Sequence, residues 1–437
     1  MQLTPLDPWI ASKIGANSSR LTRSALEAYQ LARLQDTIQT LRASSPFYRA
    51  HLAGCPTELT RLDDLAAFPL TTARDIQQAP LQFLCVSQGD VRRVVTLDSS
   101  GTTASPKRLF FSQADQELTL DFFHIGMSTF TQPGDRVLIL LPVERPGSVG
   151  DLLAIALERL GAQGIRHGLV RDVARTLDVL FATEANVLVG VPTQVLALAR
   201  AVEARRFPTP PVQNVLLTTD HVPASIANAL EQAWGCTVYN HYGMTEMGLG
   251  GGVECVARRG YHLREADLLF EIVDPQTGAP VPDGTPGEVV FTTLTRQAMP
   301  LLRYRTGDIS HFVPRSCSCG TCLKTLARVR SRVENVITLD TEMHLALADL
   351  DEVLFAFDPV LDFTATLEQG DNAERCLRLH LYLNGAAHDR LLADVRAALD
   401  TLPVLRSGRL ALSLTVEPGG GSLPLPPGKR TLRRADD

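Results

Sequence analysis

The stretch NVLLTTDHVPASIANALEQAWGCTVYNHYGMTE, residues 214–246, carries the fold in miniature. An apolar run, NVLLTTD (214–220), reads as a strand. Residues 222–234 have the pattern of a helix, and TVYNHYG (237–243) reads as a second strand. Strand, helix and strand within about thirty residues is the rhythm of a layered α/β domain. The same rhythm extends upstream, through VLILLP (137–142), a helical segment at 150–160 and NVLVGVP (186–192). Further back, Leu31, Leu34, Ile38 and Leu41 recur at 3-4-3 spacing, one stripe of an amphipathic helix.

Downstream the pattern changes. LLFEIVD and GEVVFTTL flank the turn-rich QTGAPVPDGTPG, so residues 267–294 read as a β-hairpin with a long loop. From about residue 333 the order is helix (344–357), strand (LDFTATL), strand (CLRLHLYL), helix (388–402) and strand (RLALSLTV). That is a small α+β unit. The Gly/Pro-rich end, EPGGGSLPLPPGKRTLRRADD, reads on composition as a frayed tail.

The 437 residues suit two or three domains, and 21% charged residues with mean hydropathy +0.03 exclude a disordered chain. Net charge −6 leaves no electrostatic footprint for nucleic acid. No signal peptide and no apolar run of about 18 residues stand out, so a cytoplasmic protein with no membrane partner is expected. Of 42 basic residues only four are lysines: Lys13, Lys107, Lys324 and Lys429. Arginine does not replace the compact lysine charge, so each lysine draws notice. Lys13 and Lys324 read as surface charges.

Three motifs carry chemistry. Ser99-Ser100-Gly101-Thr102-Thr103-Ala104-Ser105-Pro106-Lys107 follows the strand candidate VVTL (94–97). Hydroxyls, loop N–H groups, a glycine and one lysine make a cradle for polyphosphate. Tyr242-Gly243-Met244-Thr245-Glu246 ends a strand, where α/β sheets bind ligands. Tyrosine offers a flat face, threonine a hydroxyl and glutamate a carboxylate for hydrogen bonds or a metal. Tyr304-Arg305-Thr306-Gly307-Asp308 places an aspartate suited to vicinal ribose hydroxyls. Cys255 and His262 lie near the second motif, and Cys317, Cys319 and Cys322 just after the third. Thiolates with one imidazole suit a closed, structural tetrahedral Zn²⁺; free thiols, or a redox pair at Cys319 and Cys322, are the alternatives. Cys55, Cys85, Cys236 and Cys376 read as small buried hydrophobes.

In order and spacing these motifs resemble the adenylate-forming superfamily of acyl-CoA ligases. The phenylacetate–CoA ligase branch is the nearest likeness, through SPFYR (45–49), FPLTTARDI (68–76), TEMGLGGGVEC (245–255) and the CSCG after YRTGD. The resemblance implies a large adenylate-forming domain (1–332) of layered α/β subdomains plus a β-rich subdomain, and a small mobile α+β domain (333–437). It implies that Ser99, Ser100, Gly101, Thr102, Thr103 and Lys107 hold ATP's terminal phosphates. Tyr242 and Gly243 would lie at adenine, Thr245 and Glu246 at the α-phosphate and Mg²⁺, and Asp308 at the ribose. Arg332 matches the hinge arginine, while Glu334 stands where relatives carry the hinge aspartate. Asp220-His221-Val222-Pro223 stands where relatives carry a Gly-Glu-Pro-like turn. Lys429 takes the place of the adenylation lysine, because no other lysine follows Lys324. Cys255, His262, Cys317 and Cys319 correspond to the branch's metal ligands, with Cys322 able to replace one of them.

The implied reaction joins a carboxylic acid to ATP as an acyl-adenylate, then to coenzyme A as a thioester. Pyrophosphate and AMP are released. An aromatic acid fits the branch, yet PVERPGS (142–148) departs from the aromatic, glycine-rich pocket expected for phenylacetate. Glu144 or Arg145 in that pocket would suit a polar acid. A non-CoA acceptor (amine, hydroxyl or carrier protein) and a non-catalytic nucleotide-binding role remain open. The resemblance also admits a homodimer.

Overall fold

A computed structural model describes residues 2–16, 20–97, 106–205, 208–339, 343–369, 375–386, 388–417 and 430–434. The chain folds as two units. One comprises residues 1–132, 155–160 and 240–329; the other comprises 133–154, 161–239 and 330–437. No described helix is long and apolar enough to cross a membrane.

In the first unit the helix Arg23–Ser44 starts where Thr22 accepts a bond from the Ala25 N–H at 3.3 Å. It buries Leu34, Ile38 and Leu41, with Leu31 half-buried beside them. The expected hairpin is present: Leu268–Val273 pairs antiparallel with Gly287–Thr293, which pairs in turn with Tyr304–Ser310. A second antiparallel set joins the end of TVYNHYG to Gly252–Glu254, Tyr261–Leu263 and Thr325–Leu326. A third hairpin pairs Arg93–Leu97 with Lys107–Phe111. Their apolar faces meet in a core around Tyr48, Phe68, Phe83, Phe291 and Tyr304.

The two lysines read as surface charges differ. Lys324 is part-exposed and faces Asp283, but Lys13 is mostly covered and bonds Asp267 at 2.8 Å. Asp267 is almost wholly buried, and Lys13 and Arg264, the latter at 3.3 Å, together balance its charge. Of the four cysteines read as buried, only Cys236 is fully so; Cys55, Cys85 and Cys376 are half-buried.

The second unit contains four parallel strands in the order Gln163–Arg166, Arg136–Leu140, Val187–Gly190, Asn214–Leu217. Connecting helices supply the crossovers that parallel pairing needs. The helix after NVLLTTD spans Ala224–Trp234 and begins behind Pro223, which offers no side-chain cap. Glu352 supplies that cap instead: its carboxylate accepts the Ala224 and Ser225 N–H groups at 2.9 and 3.1 Å.

The C-terminal sheet runs Ala411–Glu417, Arg375–Leu383, Val360–Gln369, Leu432–Arg434. The expected helix at 344–357 is shorter, Leu347–Leu354. His344–Ala346 pairs instead with Val336–Thr338, and Asp349 takes the Ala346 N–H at 2.9 Å. Within the Gly/Pro-rich end, the described residues 430–434 include a short strand, Leu432–Arg434. Leu432 is buried, and its strand adds in parallel to Val360–Gln369.

Burial pushes the Asp351 carboxyl up to about 7 despite Arg430 beside it, with Asp362 and Asp220 adding repulsion. An unfolded aspartate titrates near 3.9. Between those values the folded chain holds a proton that the unfolded chain lacks. This group's contribution to stability is therefore complete below pH 4 and is lost as pH rises toward 7. Asp351→Asn should flatten the stability–pH curve of this unit over pH 4–7, by at most about 1.4 kcal/mol per pH unit. Urea unfolding of both proteins across that range measures it.

Candidate active site

The hairpin 93–111 delivers the first functional side chain. Leu97 and Lys107 are paired across it, and the Ser/Thr/Gly-rich sequence lies between them in the chain. Ser99, Ser100, Gly101, Thr102 and Thr103 lie outside the described residues. Lys107 opens the returning strand. Its ammonium meets the Glu246 carboxylate and lies 3.3 Å from the Tyr304 hydroxyl, which donates to Glu246 Oε1 at 3.1 Å. Glu246 is 3% exposed. Burial is the largest single influence and would raise its pKa, but the Lys107 charge together with hydrogen bonds from Lys107 and Tyr304 holds the carboxyl below its usual range. Arg296 secures the backbone at the same place. One of its nitrogens donates to the Glu246 carbonyl at 2.6 Å and another to the Phe110 carbonyl at 3.2 Å.

Four residues earlier, Tyr242 packs its ring on Tyr261, with centroids 5.6 Å apart and planes at 29°. Its hydroxyl donates to Asp308 Oδ2 at 2.9 Å. Burial, then the Asp308 charge, drives this phenol well above its ordinary pKa, so it stays a donor. Between Tyr242 and Thr245 the chain tightens at Gly243, where a Cβ would clash with the Leu249 carbonyl oxygen. Gly250 has the same constraint against the Phe122 ring. The GLGGG run is thus a close-packing device. His241, beside Phe122 and Phe123, is pushed down to about 4 by burial and is neutral at pH 7.

Asp308 is set by its own strand. Thr306 Oγ1 accepts the Asp308 N–H at 3.0 Å and donates to the Val289 carbonyl at 2.7 Å. Gly307 has φ +76° and donates its N–H to Glu288 Oε1 at 3.0 Å. Arg303, just before this strand, sits at φ +46°, a costly conformation for a branched-chain-sized residue. It is held on both sides. Thr71 donates its N–H to the Arg303 carbonyl at 3.0 Å, and the Arg303 guanidinium donates to the Phe68 carbonyl at 2.6 Å. Tyr48 completes the clamp: its hydroxyl accepts the Leu302 N–H at 2.9 Å and contacts Thr71 Oγ1 at 3.1 Å. The SPFYR and FPLTT motifs therefore act on the site from behind, by fixing the YRTGD strand.

Sequence reasoning assigned no role to Tyr304 or Arg296. Tyr304 lay within a quoted motif, and its position one residue before Arg305 was the available signal. Nothing in the sequence pointed to Arg296.

The cysteine cluster also assembles. The ligand atoms of Cys255, His262, Cys317 and Cys319 all lie within 4.8 Å of one another. The Cys255 and Cys317 sulfurs are 3.6 Å apart, and Cys319 Sγ is 3.4 Å from His262 Nε2. Tetrahedral bonds of about 2.3 Å place two sulfurs roughly 3.8 Å apart, so the set fits one ion. Ala257 and Cys319 aim N–H groups at the Cys255 and Cys317 sulfurs at 3.4 and 3.5 Å, donors that favour thiolate. His262 turns its other nitrogen toward Thr325 Oγ1 at 3.5 Å. Burial lowers His262 to about 4, leaving the neutral form that a metal binds. Cys322 is not one of the four.

In the second unit, Arg332 ends the short strand Ser331–Arg332, and Glu334 follows in the helical turn Val333–Asn335. Glu144 is exposed. It accepts the Val143 N–H at 3.0 Å and faces Arg171 at 3.6 Å. Lys429 lies outside the described residues.

The AMP-binding enzyme family matches residues 94–295. A phenylacetate–coenzyme A ligase of Thermus thermophilus is 28% identical over 376 residues, covering 80% of this chain and 81% of that protein. The crystal structure of a 2-hydroxyisobutyryl-CoA ligase in the postadenylation state, in complex with R3-HIB-AMP, shares the fold. Its TM-score is 0.78 at 20% identity, over 95% of this chain and 90% of that one. The chain is thus similar over about four fifths of its length to phenylacetate–coenzyme A ligases, and its middle part matches the AMP-binding enzyme family. A second relative, the phenylacetate–coenzyme A ligase of Escherichia coli, is 25% identical over 344 residues. That match covers 76% of this chain and 77% of that one.

Lys107→Met should destabilise the protein by about 3–5 kcal/mol, because it strands a buried carboxylate. Adding Glu246→Gln should recover much of that loss. A double-mutant cycle by urea unfolding reads the coupling.

Proposed function

We propose that this protein is an ATP-dependent carboxylic acid–CoA ligase that forms an acyl-adenylate and then an acyl thioester. One observation carries the reading. The Lys107–Glu246–Tyr304 cluster and the Tyr242–Asp308 pair lie in one unit, at the ends of strands flanking the phosphate-loop hairpin.

Ser99, Ser100, Gly101, Thr102, Thr103 and Lys107 would bind the β- and γ-phosphates. The Lys107 ammonium, paired with the Glu246 carboxylate, is positioned to exchange that partner for phosphate oxygen. Asp308 keeps a carboxylate for the ribose hydroxyls, its orientation fixed by Tyr242. Gly243 would admit adenine beside Tyr242, and Thr245 would hold the α-phosphate. Glu246, ionised and buried, is an oxygen ligand of the kind Mg²⁺ takes; the ion would neutralise phosphate charge. Lys429 would bridge the attacking carboxylate and the α-phosphate, stabilising charge that develops only in the transition state. The domain 333–437 would then turn about the Arg332–Glu334 segment, so that one site serves two half-reactions. The exposed Glu144 supports an apolar, aromatic acid over a dicarboxylic one.

The reading is tested by pyrophosphate release with ATP and a panel of aromatic and aliphatic acids, then by thioester formation with CoA. Acid-dependent release followed by CoA-dependent AMP formation is expected; no release with any acid rejects it. Lys429→Ala should lower adenylation by about 100-fold or more, the scale of losing one transition-state charge contact. It should leave thioester formation from supplied acyl-adenylate intact.

Cys255, His262, Cys317 and Cys319 would hold one structural Zn²⁺, tying the loop after YGMTE to the loop after YRTGD. Elemental analysis should find about one zinc per chain. Cys319→Ala should lose the metal and lower the melting temperature, whereas Cys322→Ala should retain it.

A further inference from the structure

Arg296 lies in the segment that joins the Gly287–Thr293 strand to the Tyr304–Ser310 strand. Other groups already hold that segment. At its base the Thr293 N–H donates to the Leu301 carbonyl at 2.9 Å, and the Leu301 N–H donates to Thr293 Oγ1 at 2.9 Å. Thr295 Oγ1 donates to Asp267 Oδ1 at 2.8 Å. The Asp115 carboxylate accepts the Gln297 and Ala298 N–H groups at 2.7 and 3.0 Å. None of these bonds uses the Arg296 guanidinium. It lies instead over the Phe111 ring, its carbon 4.3 Å from the ring centroid, and commits its two terminal nitrogens to the Glu246 and Phe110 carbonyls. Burial draws its pKa down to about 10, so it stays charged at neutral pH.

Those two carbonyls belong to the segments whose side chains form the active-site ion pair. Phe110 is in the Lys107–Phe111 strand, and Glu246 is the residue whose carboxylate meets Lys107. The strand and the YGMTE turn are thus linked through side chains and again through Arg296. A nucleotide would affect the two links differently. In the reading above, Lys107 exchanges Glu246 for phosphate oxygen, and Glu246 offers its carboxylate to Mg²⁺. The side-chain link is then given up just when its two members must keep their spacing. Arg296 bonds only main-chain oxygens, which take no part in that exchange. A planar guanidinium also fixes two acceptors relative to one plane, which a rotatable ammonium does not.

We propose that Arg296 is a positioning residue for Glu246, holding it at a set spacing from the Lys107 strand while Mg-ATP takes the place of the Lys107–Glu246 pair. This rests on the roles proposed above for Lys107 and Glu246. Mg²⁺ demands near-ideal octahedral geometry with bonds of about 2.0–2.1 Å, so drift of one ligand oxygen weakens its binding. A carboxylate whose main chain is held in place also needs less ordering when the ligand arrives. Arg296 touches neither nucleotide nor metal in this scheme. Its effect passes through the Glu246 carbonyl, and its grip on Phe110 supplies the fixed point.

The test is calorimetric binding of ATP to full-length protein, once in excess EDTA and once with Mg²⁺. The ratio of the two affinities is the metal enhancement. Arg296→Met keeps an unbranched stem against Phe111 and removes both donated bonds. It should cut the metal enhancement by about 10-fold, the scale of one lost charge-assisted hydrogen bond, and leave ATP affinity in EDTA within about twofold. In a Glu246→Gln background the same substitution should change Mg-ATP affinity by less than about twofold, because the carboxylate it positions is gone. Arg296→Lys keeps the charge without the planar fork and should lose about threefold of the enhancement. Where Arg296→Met does not fold, Arg296→Lys carries the same comparisons. Wild-type metal enhancement in the variant, equal loss with and without metal, or equal loss in both backgrounds overturns the proposal. Glu246→Gln that retains full metal enhancement overturns the assignment of Glu246 instead.

Discussion

A carboxylate with almost no access to water organises the active-site unit. Glu246 would be protonated or would destabilise the fold if left alone, because burial penalises its charge. Lys107 and Tyr304 remove that penalty, and they come from two other strands. The phosphate-loop hairpin, the YGMTE turn and the YRTGD strand are therefore brought together by the same charge balance that keeps Glu246 ionised. An ionised glutamate and a compact ammonium beside a Ser/Thr-rich loop are also the groups polyphosphate chemistry needs. Stability and function draw on one cluster.

The layers behind this cluster resist its movement. Tyr48 and Thr71 hold the backbone on either side of Arg303, whose left-handed conformation turns the chain into the Tyr304–Ser310 strand. Glu288 fixes Gly307, and Thr306 fixes Asp308. The Asp308 carboxylate, proposed above for ribose, is oriented by the fold itself, and such preorganisation lowers the entropy cost of binding. The Cys255–His262–Cys317–Cys319 cluster brings together the segments that follow the same two motifs.

Much of this was legible in the chain. Sequence patterns located three of the four parallel strands, missing Gln163–Arg166, together with the 267–294 hairpin and most of the C-terminal α+β elements, because those segments bury one face of a regular structure. Lys107, Tyr242, Glu246 and Asp308 were legible because charged or hydroxylated residues at strand ends have few structural uses. Residues whose roles are purely relational were not. Arg296 acts through two carbonyls distant in sequence, and Lys13 through a buried Asp267; neither pairing leaves a local pattern. The helix at 344–357 was overestimated because local periodicity does not register the three-residue pairing of His344–Ala346.

Motif order alone carried the resemblance to the superfamily, since the spacing of loop, turn and strand motifs follows from covalent connectivity. Tertiary structure decided which groups meet. It selected Cys319 over Cys322 for the thiol–imidazole cluster, because a sulfur must lie within a few ångströms of three other ligands and sequence proximity does not ensure that. It also separated two adjacent cations. Arg430 looked like part of a solvated tail, yet buried carboxylates and two aromatic rings enclose it. That distinction depends on Asp351 and Asp362 folding into place some seventy residues before it, and only a closed core brings them there.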